Sequence, residues 1–313
     1  MKLLKLVPDN TNIQFINKRL IAFVFSGFLV LGSIGLFFTQ GLNLGIDFLG
    51  GILIEARTDG PADIGQLRSD LGGLGLGEIS LQEFGSPDDV LIRIQKQEGG
   101  EAAQASAIEA VKAELGKRVV EYRRTEFVGP TVGAELREAA IYAVISAILA
   151  MLLYIWFRFE WQFGLGAVLA LGHDVITTIG LFALFQLEFN LATVAAILTI
   201  AGYSINDTVV VYDRVRENMR RYKTMPYEIL FNNSINQTLS RTVVTSITTL
   251  LALLALYAFG GEVIRGLSIA LIWGVLIGTY SSISLAVPFL LYVRPDRGGQ
   301  SAAGDDAAEA VAE

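Results

Sequence analysis

The chain has 313 residues, 52% of them hydrophobic and only 18% charged. Soluble domains carry roughly a quarter charged residues, so this shortage disfavours both a single soluble globule and a disordered chain. A net charge of −7 argues against a nucleic-acid partner, and with no cysteine and one histidine, disulfide scaffolds, Fe–S clusters, zinc fingers and thiol catalysis are excluded.

The apolar residues gather into six runs, each near the roughly 20 residues that cross a hydrocarbon core. Residues 1–19 form a short basic leader with Lys2, Lys5, Lys18 and Arg19. The first run, Leu20–Thr39, is longer than the roughly 7–15 apolar residues of a signal core, and Phe38-Thr39-Gln40-Gly41 offers no small-x-small cleavage site. An uncleaved anchor over residues 20–39 is expected.

Residues 40–137 then read as an exported α+β domain. Ile52–Arg57 suits a strand, and Ala62–Leu71 places Ile64, Leu67 and Leu71 at helical spacing. Glu78–Phe84 and Val90–Ile94 alternate like strands around the turn Gly85-Ser86-Pro87-Asp88-Asp89. Glu101–Lys117 is a helix rich in Ala and Glu, and Val119–Phe127 a last strand. The order βαββαβ is that of ferredoxin-like folds, which names no function. Gly72–Gly77 has no lysine and joins a helix to a strand, the wrong setting for a phosphate loop. A binding or lever domain is expected, not a catalytic one.

Two glycine-rich segments bracket the domain: Gly45, Asp47, Gly50 and Gly51 before it, and Gly129, Pro130 and Gly133 after it. Residue chemistry alone leaves linker and hinge equally open.

Five more spans follow within residues 138–293: Ala139–Phe157, Phe163–Phe185, Leu191–Tyr212, Val243–Phe259 and Leu267–Val293. Their long connection is the loop 213–242. There Asp213–Arg221 extends the fourth span, and Tyr227, Leu230, Phe231, Ile235 and Leu239 suggest an amphipathic helix on the membrane surface or docked on a partner. Gly274 and Gly278 read as a close-packing motif. Residues 294–313 read as a disordered acidic tail. The leader, Arg158, the cluster from Arg214 to Lys223, Arg241, Arg294 and Arg297 fall on one side; the opposite short loops hold Glu188, and Glu262 with Arg265. Both termini are therefore expected in the cytoplasm.

Ionisable groups inside hydrocarbon cost at least ~2.5–3.5 kcal/mol on insertion scales, so they need partners or a purpose. Gly172-His173-Asp174, with Thr177 and Thr178, lies near the middle of the third span. Asp207 lies roughly 6–8 Å inside the cytoplasmic end of the fourth, with Tyr203, Asn206 and Val210 on approximately its face. Arg241 opens the fifth span, ahead of Thr242, Thr245, Ser246, Thr248 and Thr249. Such hydroxyls often only bond back to their own helix, and such an arginine is often only a positive-inside residue. Arg241 is also long enough to reach Asp207, and protonating the carboxylate would then release the helices to re-pack. His173 and Asp174 read either as a second relay station or as a hydrogen-bonded lock. A metal site would need a denser ligand cluster, and HExxH and GxSxG are missing. The expectation from these residues is a proton relay with no cofactor and no hydrolytic site, drawing on Asp207, Arg241, Asn206, Asp174 and His173.

One span, a βαββαβ domain and five further spans resemble the plan of SecF subunits of the bacterial SecD–SecF protein-export complex, within the resistance–nodulation–division superfamily. Gly45–Gly51, Phe127–Leu136, Gly172–Asp174 and Ala201–Asn218 resemble four of its ordered signatures. The resemblance implies an α-helical polytopic protein of the bacterial inner membrane with SecD as partner. It implies action beside the SecYEG channel, with YajC and the YidC insertase as further candidates, and use of the proton motive force on unfolded exported polypeptides. It also implies that Asp207 and Arg241 are required and that the glycine segments are hinges. A small-molecule or lipid exporter of the same superfamily and a structural scaffold are the competing classes.

Overall fold

The computed structural model describes residues 11–261 and 264–296. Lys2, Lys5, Glu262, Arg297 and the expected acidic tail after Arg297 lie outside them. Helix α1 (Arg19–Gln40) leads to a two-residue strand β1 (Asn43–Leu44) and a one-turn helix α2 (Ile46–Leu49). The domain follows as β2 (Gly51–Thr58), α3 (Ile64–Gly72), β3 (Ile79–Phe84), β4 (Ser86–Ile94), α4 (Gly100–Leu115) and β5 (Val119–Val128). Its antiparallel sheet has the order β3-β4-β2-β5, the arrangement expected from the βαββαβ pattern.

Alternation explains how the sheet divides. Ile52, Ile54 and Ala56 of β2 and Val90, Ile92 and Ile94 of β4 face α3 and α4, where Leu67, Leu71, Val111 and Leu115 complete the core. The helix-free face carries Leu53 and Leu91, which pack with Ile46 of α2. By the same alternation it also carries Glu55, Arg57, Asp89 and Arg93. Gly51 has φ +118°, and a Cβ there would meet the Ile94 carbonyl oxygen at 2.5 Å, so only glycine fits where the chain enters the sheet.

The bundle continues as α5 (Pro130–Arg158), α6 (Trp161–Phe185), strand β6 (Glu188–Phe189), α7 (Leu191–Arg221), α8 (Tyr227–Phe259), α9 (Arg265–Ser281) and α10 (Val287–Val293). Residues Ser282–Ala286 wind as a π-helix, so α9 and α10 form one span with a widened turn inside it. Six stretches among the described residues are long and apolar enough to cross a membrane. About half of the most apolar window is buried in α6, α7 and the α9–α10 span (50%, 56% and 56%), against 6%, 6% and 11% in α1, α5 and α8. The first three are the inner layer.

Small residues allow that layer to close. A Cβ on Gly274 would overlap the Ile200 side chain, and one on Gly278 would meet the Ser204 Cβ at 3.1 Å, so the two glycines do serve close packing of α9 on α7. Gly166 of α6 leaves room for the buried Tyr212 hydroxyl, which donates to the Ala286 carbonyl of the π segment at 3.1 Å. Tyr280 ties on α1 by donating to the Ala22 carbonyl, 2.9 Å away, while its oxygen lies 2.9 Å from the Ser26 hydroxyl.

The 213–242 stretch differs from the expected loop. Helix α7 runs on to Arg221, α8 begins at Tyr227, and only five residues connect them. The expected surface helix is the first part of one unbroken helix that becomes the fifth span. Its polar side chains are occupied within the chain. Asn232 accepts from the backbone N–H groups of Phe15 (2.9 Å) and Ile16 (3.3 Å), and Asn236 exchanges two hydrogen bonds with the backbone of Ile13. Asn218 of α7 donates to Ser234 (2.8 Å) and Gln237 (2.9 Å). Leu230, Phe231 and Ile235 bury in the main bundle core beside Val215 and Met219. The helix docks on its own chain.

Candidate functional site

The centre of the bundle is polar at one level. Asp174 of α6 is fully buried, so its carboxylate must be satisfied by protein groups. His173 Nδ1 lies 2.9 Å from its Oδ1, while the hydroxyls of Ser204 (α7, 2.6 Å) and Ser281 (α9, 2.7 Å) donate to Oδ2. The Thr177 and Thr178 hydroxyls bond back to the Asp174 carbonyl. From this node a row of hydroxyls runs along the α7–α9 seam. Ser282 donates to the Ser204 carbonyl at 3.4 Å and pairs with Thr208 at 2.8 Å. His173 Nε2 is buried with no hydrogen-bond partner, at the edge of a cleft of about 420 Å³ between α1 and α10 that Phe23, Ser26, Phe289 and Tyr292 also line.

Asp207 sits one helical turn beyond Ser204 on α7 and is 4% exposed. Its Oδ2 and the hydroxyl of Thr242 across the α7–α8 contact are both buried and neighbour one another, outside the geometry of a regular hydrogen bond. Among the described residues no ion pair joins Arg241 to Asp207. Helix geometry gives the reason: adjacent residues point about 100° apart. With Thr242 turned to Asp207, Arg241 turns to the exposed side, and for the same reason Asn206 is exposed while Asp207 is not. The α7–α8 contact therefore holds a buried pair, Asp207 and Thr242, and leaves an exposed pair, Asn206 and Arg241. Tyr203 donates to Ser246 at 3.4 Å, and Ser246 lies 2.6 Å from Thr279, which closes the α7–α8–α9 contact below. Thr245, Thr248 and Thr249 bond back to their own helix, as lone hydroxyls usually do.

The two glycine-rich segments meet at the domain end of α7. β1 pairs in parallel with β6, Asn43 opposite Glu188 and Leu44 opposite Phe189, and the Gly45 N–H donates to the Phe189 carbonyl at 2.9 Å. Asp47 Oδ2 accepts from the N–H of Leu191, the first residue of α7, at 2.9 Å. A carboxylate there complements the positive end of the helix dipole. Gly133, one turn into α5, lies so close that a Cβ on it would meet the Gly50 nitrogen at 3.1 Å. Gly129 caps α5 and Pro130 is its first residue. Gly45, Gly51 and Gly133 are packed against neighbouring atoms, whereas Gly129 has open space around it.

Sequence reasoning missed Ser281 and Ser282, although Tyr280-Ser281-Ser282 is a polar triplet inside an apolar run. It also missed Arg93, which donates to Asn43 Oδ1 at 2.6 Å and to Glu188 Oε2 at 2.9 Å. No local pattern links a strand residue to a loop 95 positions away.

A family model for the C-terminal region of the protein export membrane proteins SecD/SecF matches residues 107–296, and one for the SecD/SecF GG motif matches residues 35–62. The chain is 48% identical over 305 residues to the protein translocase subunit SecF of Cereibacter sphaeroides, covering 95% of this chain and 94% of that one. It is 48% identical over 290 residues to that of Rickettsia akari, covering 92% and 94%. Among solved structures it resembles SecDF of Thermus thermophilus, a translocon-associated membrane protein, with TM-score 0.84 and 36% identity over 92% of this chain and 40% of that one. SecDF in a super-membrane-facing form matches with TM-score 0.66 and 35% identity over 97% and 40%. The chain thus spans nearly the full length of the SecF subunits and about two fifths of the solved SecDF chains.

Proposed function

The chain belongs to the SecD/SecF family of protein-export membrane proteins, as a SecF subunit, and on that premise we propose that it couples proton movement through Asp207 to a late step of protein export. As a SecF subunit it is a multi-pass membrane protein and a transport component, not an enzyme. In the proposed arrangement both termini are cytoplasmic and the α+β domain, residues 40–137, lies on the outer side. SecD is the partner within the membrane, SecYEG the channel served, and unfolded exported polypeptides the cargo. YajC and the YidC insertase are further candidate neighbours.

The observation that carries the reading is the split site at Asp207. A buried carboxyl is held against Thr242 of α8, while Asn206 and Arg241, each one residue from the buried pair, are exposed. An exposed arginine and asparagine within or at the edge of a span are costly against lipid, so another bundle is expected to cover them. We place SecD there, with the proton path running along the contact. Protonation of Asp207 removes its attraction for the Arg241 guanidinium. A rotation of α8 by a large part of the ~100° between adjacent residues then changes which of Arg241 and Thr242 faces the carboxyl, giving two packings of one helix pair. One charge crossing the full potential supplies ~2.3 kcal/mol per 100 mV, enough to bias such an equilibrium. His173 and Asp174 form a second station, joined toward Thr208 by the serine row, and the glycine segments are hinges through which the domain moves.

The test is Asp207→Asn in the assembled complex, in inverted membrane vesicles, following late translocation of a preprotein with and without a proton gradient. The expected result is normal assembly with SecD and loss of the gradient-dependent phase. Gradient-dependent export at the wild-type rate would overturn the reading.

A further inference from the structure

Arg93 belongs to the domain, Glu188 to the bundle. Arg93 points from the helix-free face of the sheet, and its guanidinium divides between Asn43 of β1 and Glu188 of β6. The Arg93 and Glu188 side chains are only 15% and 21% exposed, so water screens the pair less than it does an ordinary surface ion pair. Behind the pair the backbone is continuous in its contacts. β1 and β6 are paired, and Asn43 Nδ2 also donates to the Gln186 carbonyl at 2.8 Å, fixing the end of α6. Asn190 and Thr193 form a capping box at the start of α7, and Asp47 takes the Leu191 N–H. A Cβ on Gly45 would meet Glu188 Oε1 at 2.7 Å and the Asn190 Cβ at 3.2 Å, so the two segments are in close contact. Phe48 and Phe189 add a ring contact at 6.1 Å.

Helix α7 then runs unbroken from Leu191 to Arg221. Asp207 lies roughly 24 Å along it at 1.5 Å per residue. A helix without a break moves as a body, so a shift or rotation of α7 at Asp207 is delivered at Leu191, where the domain is attached.

We propose that Arg93 and Glu188 are positioning residues that form a strut, through which movement of α7 is handed to the α+β domain. The inference rests on the proton-coupling reading above and deepens it by naming the point at which the membrane site grips the domain. The two glycine segments allow the domain to turn, and the strut decides when it turns. With the strut made, the helix-free face is held against β1 and β6. With it broken, the domain is still retained by its two connections and by α2, whose Ile46 packs with Leu53 and Leu91.

The chain has no cysteine, so pairs of spin labels are readily placed, one on α4 of the domain and one near the domain end of α6. Distances are measured in the membrane-embedded complex with SecD, alongside gradient-dependent export and proton flux, for Arg93→Gln, Glu188→Gln and the charge exchange Arg93→Glu with Glu188→Arg. The expected result for each single variant is a longer, broader distance distribution. The undocked fraction rises about tenfold or more, as for loss of hydrogen bonds to charged groups. Export falls while proton flux persists. The exchange restores the distance and part of the export, which excludes simple misfolding. Unchanged distances and export in both single variants would overturn the strut, as would an exchange that remains as defective as the single variants. Strut variants that behave as wild type while Asp207→Asn abolishes coupling would sink the strut alone. An unaffected Asp207→Asn would sink the proton reading instead.

Discussion

Ser281 donates to Asp174 across the α6–α9 seam, its hydroxyl 2.7 Å from Oδ2, although 107 positions separate them. Ser204 reaches the same oxygen from α7 at 2.6 Å, so one carboxylate oxygen holds three inner helices at a common level. Ser281→Ala removes one of the two donors to an oxygen with no access to water. A cost of about 1–3 kcal/mol in stability is expected, read as a lowered unfolding midpoint of the detergent-solubilised protein. Ser204→Ala should cost a similar amount. Because both serve the same oxygen, the double variant should depart from the sum of the singles by roughly 0.5 kcal/mol or more. Strict additivity would show that the two serines do not share Asp174.

The spans, the βαββαβ order and the two intramembrane carboxylates were legible because each is written in a local run: apolar length, alternation, or a charge where hydrocarbon disfavours one. The continuity of α8 was not, because Asn232, Asn233, Asn236 and Gln237 look like a solvated face. A subtler signal was present: Tyr227–Phe259 contains neither glycine nor proline, and Pro226 precedes it. The facing of Asp207 to Thr242 and not to Arg241 turns on a single residue step around a helix, finer than any periodicity fixes. The Arg93–Glu188 contact is set by how the domain sits on the bundle, which no stretch of sequence encodes.

Glycines in the spans divide into two kinds, and substitution should tell them apart. A Cβ on Gly274 has nowhere to go, because Ile200 of α7 fills the site with three of its carbons. Gly274→Ala should destabilise by about 1–3 kcal/mol through overpacking. Gly32 of α1 has nothing within 4 Å of a Cβ position. Gly32→Ala should therefore be neutral or gain up to about 1 kcal/mol of helix propensity. Thermal unfolding of the two variants side by side is the measurement. Equal midpoints would show that the α7–α9 seam is looser than its geometry.

The domain carries its own sensitivity to acid on the helix-free face. Asp89 is buried there, and Arg57 grips both of its oxygens, Nε to Oδ1 at 2.9 Å and a terminal nitrogen to Oδ2 at 3.0 Å. Ser86 donates at 2.8 Å and Arg123 at 3.0 Å. The Arg57 hydrogen bonds, helped by Ser86 and the Arg123 charge, hold the Asp89 carboxyl below the usual carboxylate range in spite of its burial. Asp88 is lowered as well, chiefly by the same Ser86 hydroxyl, whose single proton the two carboxylates share. A group whose folded value lies below its unfolded one binds protons more readily when unfolded. Its contribution is therefore complete above the unfolded value of ~3.9 and is lost as pH falls through the lower folded value. Hydrogen exchange at β2 and β4 amides, corrected for the intrinsic pH dependence, should show protection constant from about pH 7 to 5 and falling below about 4. Asp89→Asn should lower protection at neutral pH, because the amide leaves Arg57 and Arg123 without a charged acceptor, and should flatten the acid limb. An acid limb that persists unchanged in Asp89→Asn would assign the sensitivity to another carboxylate.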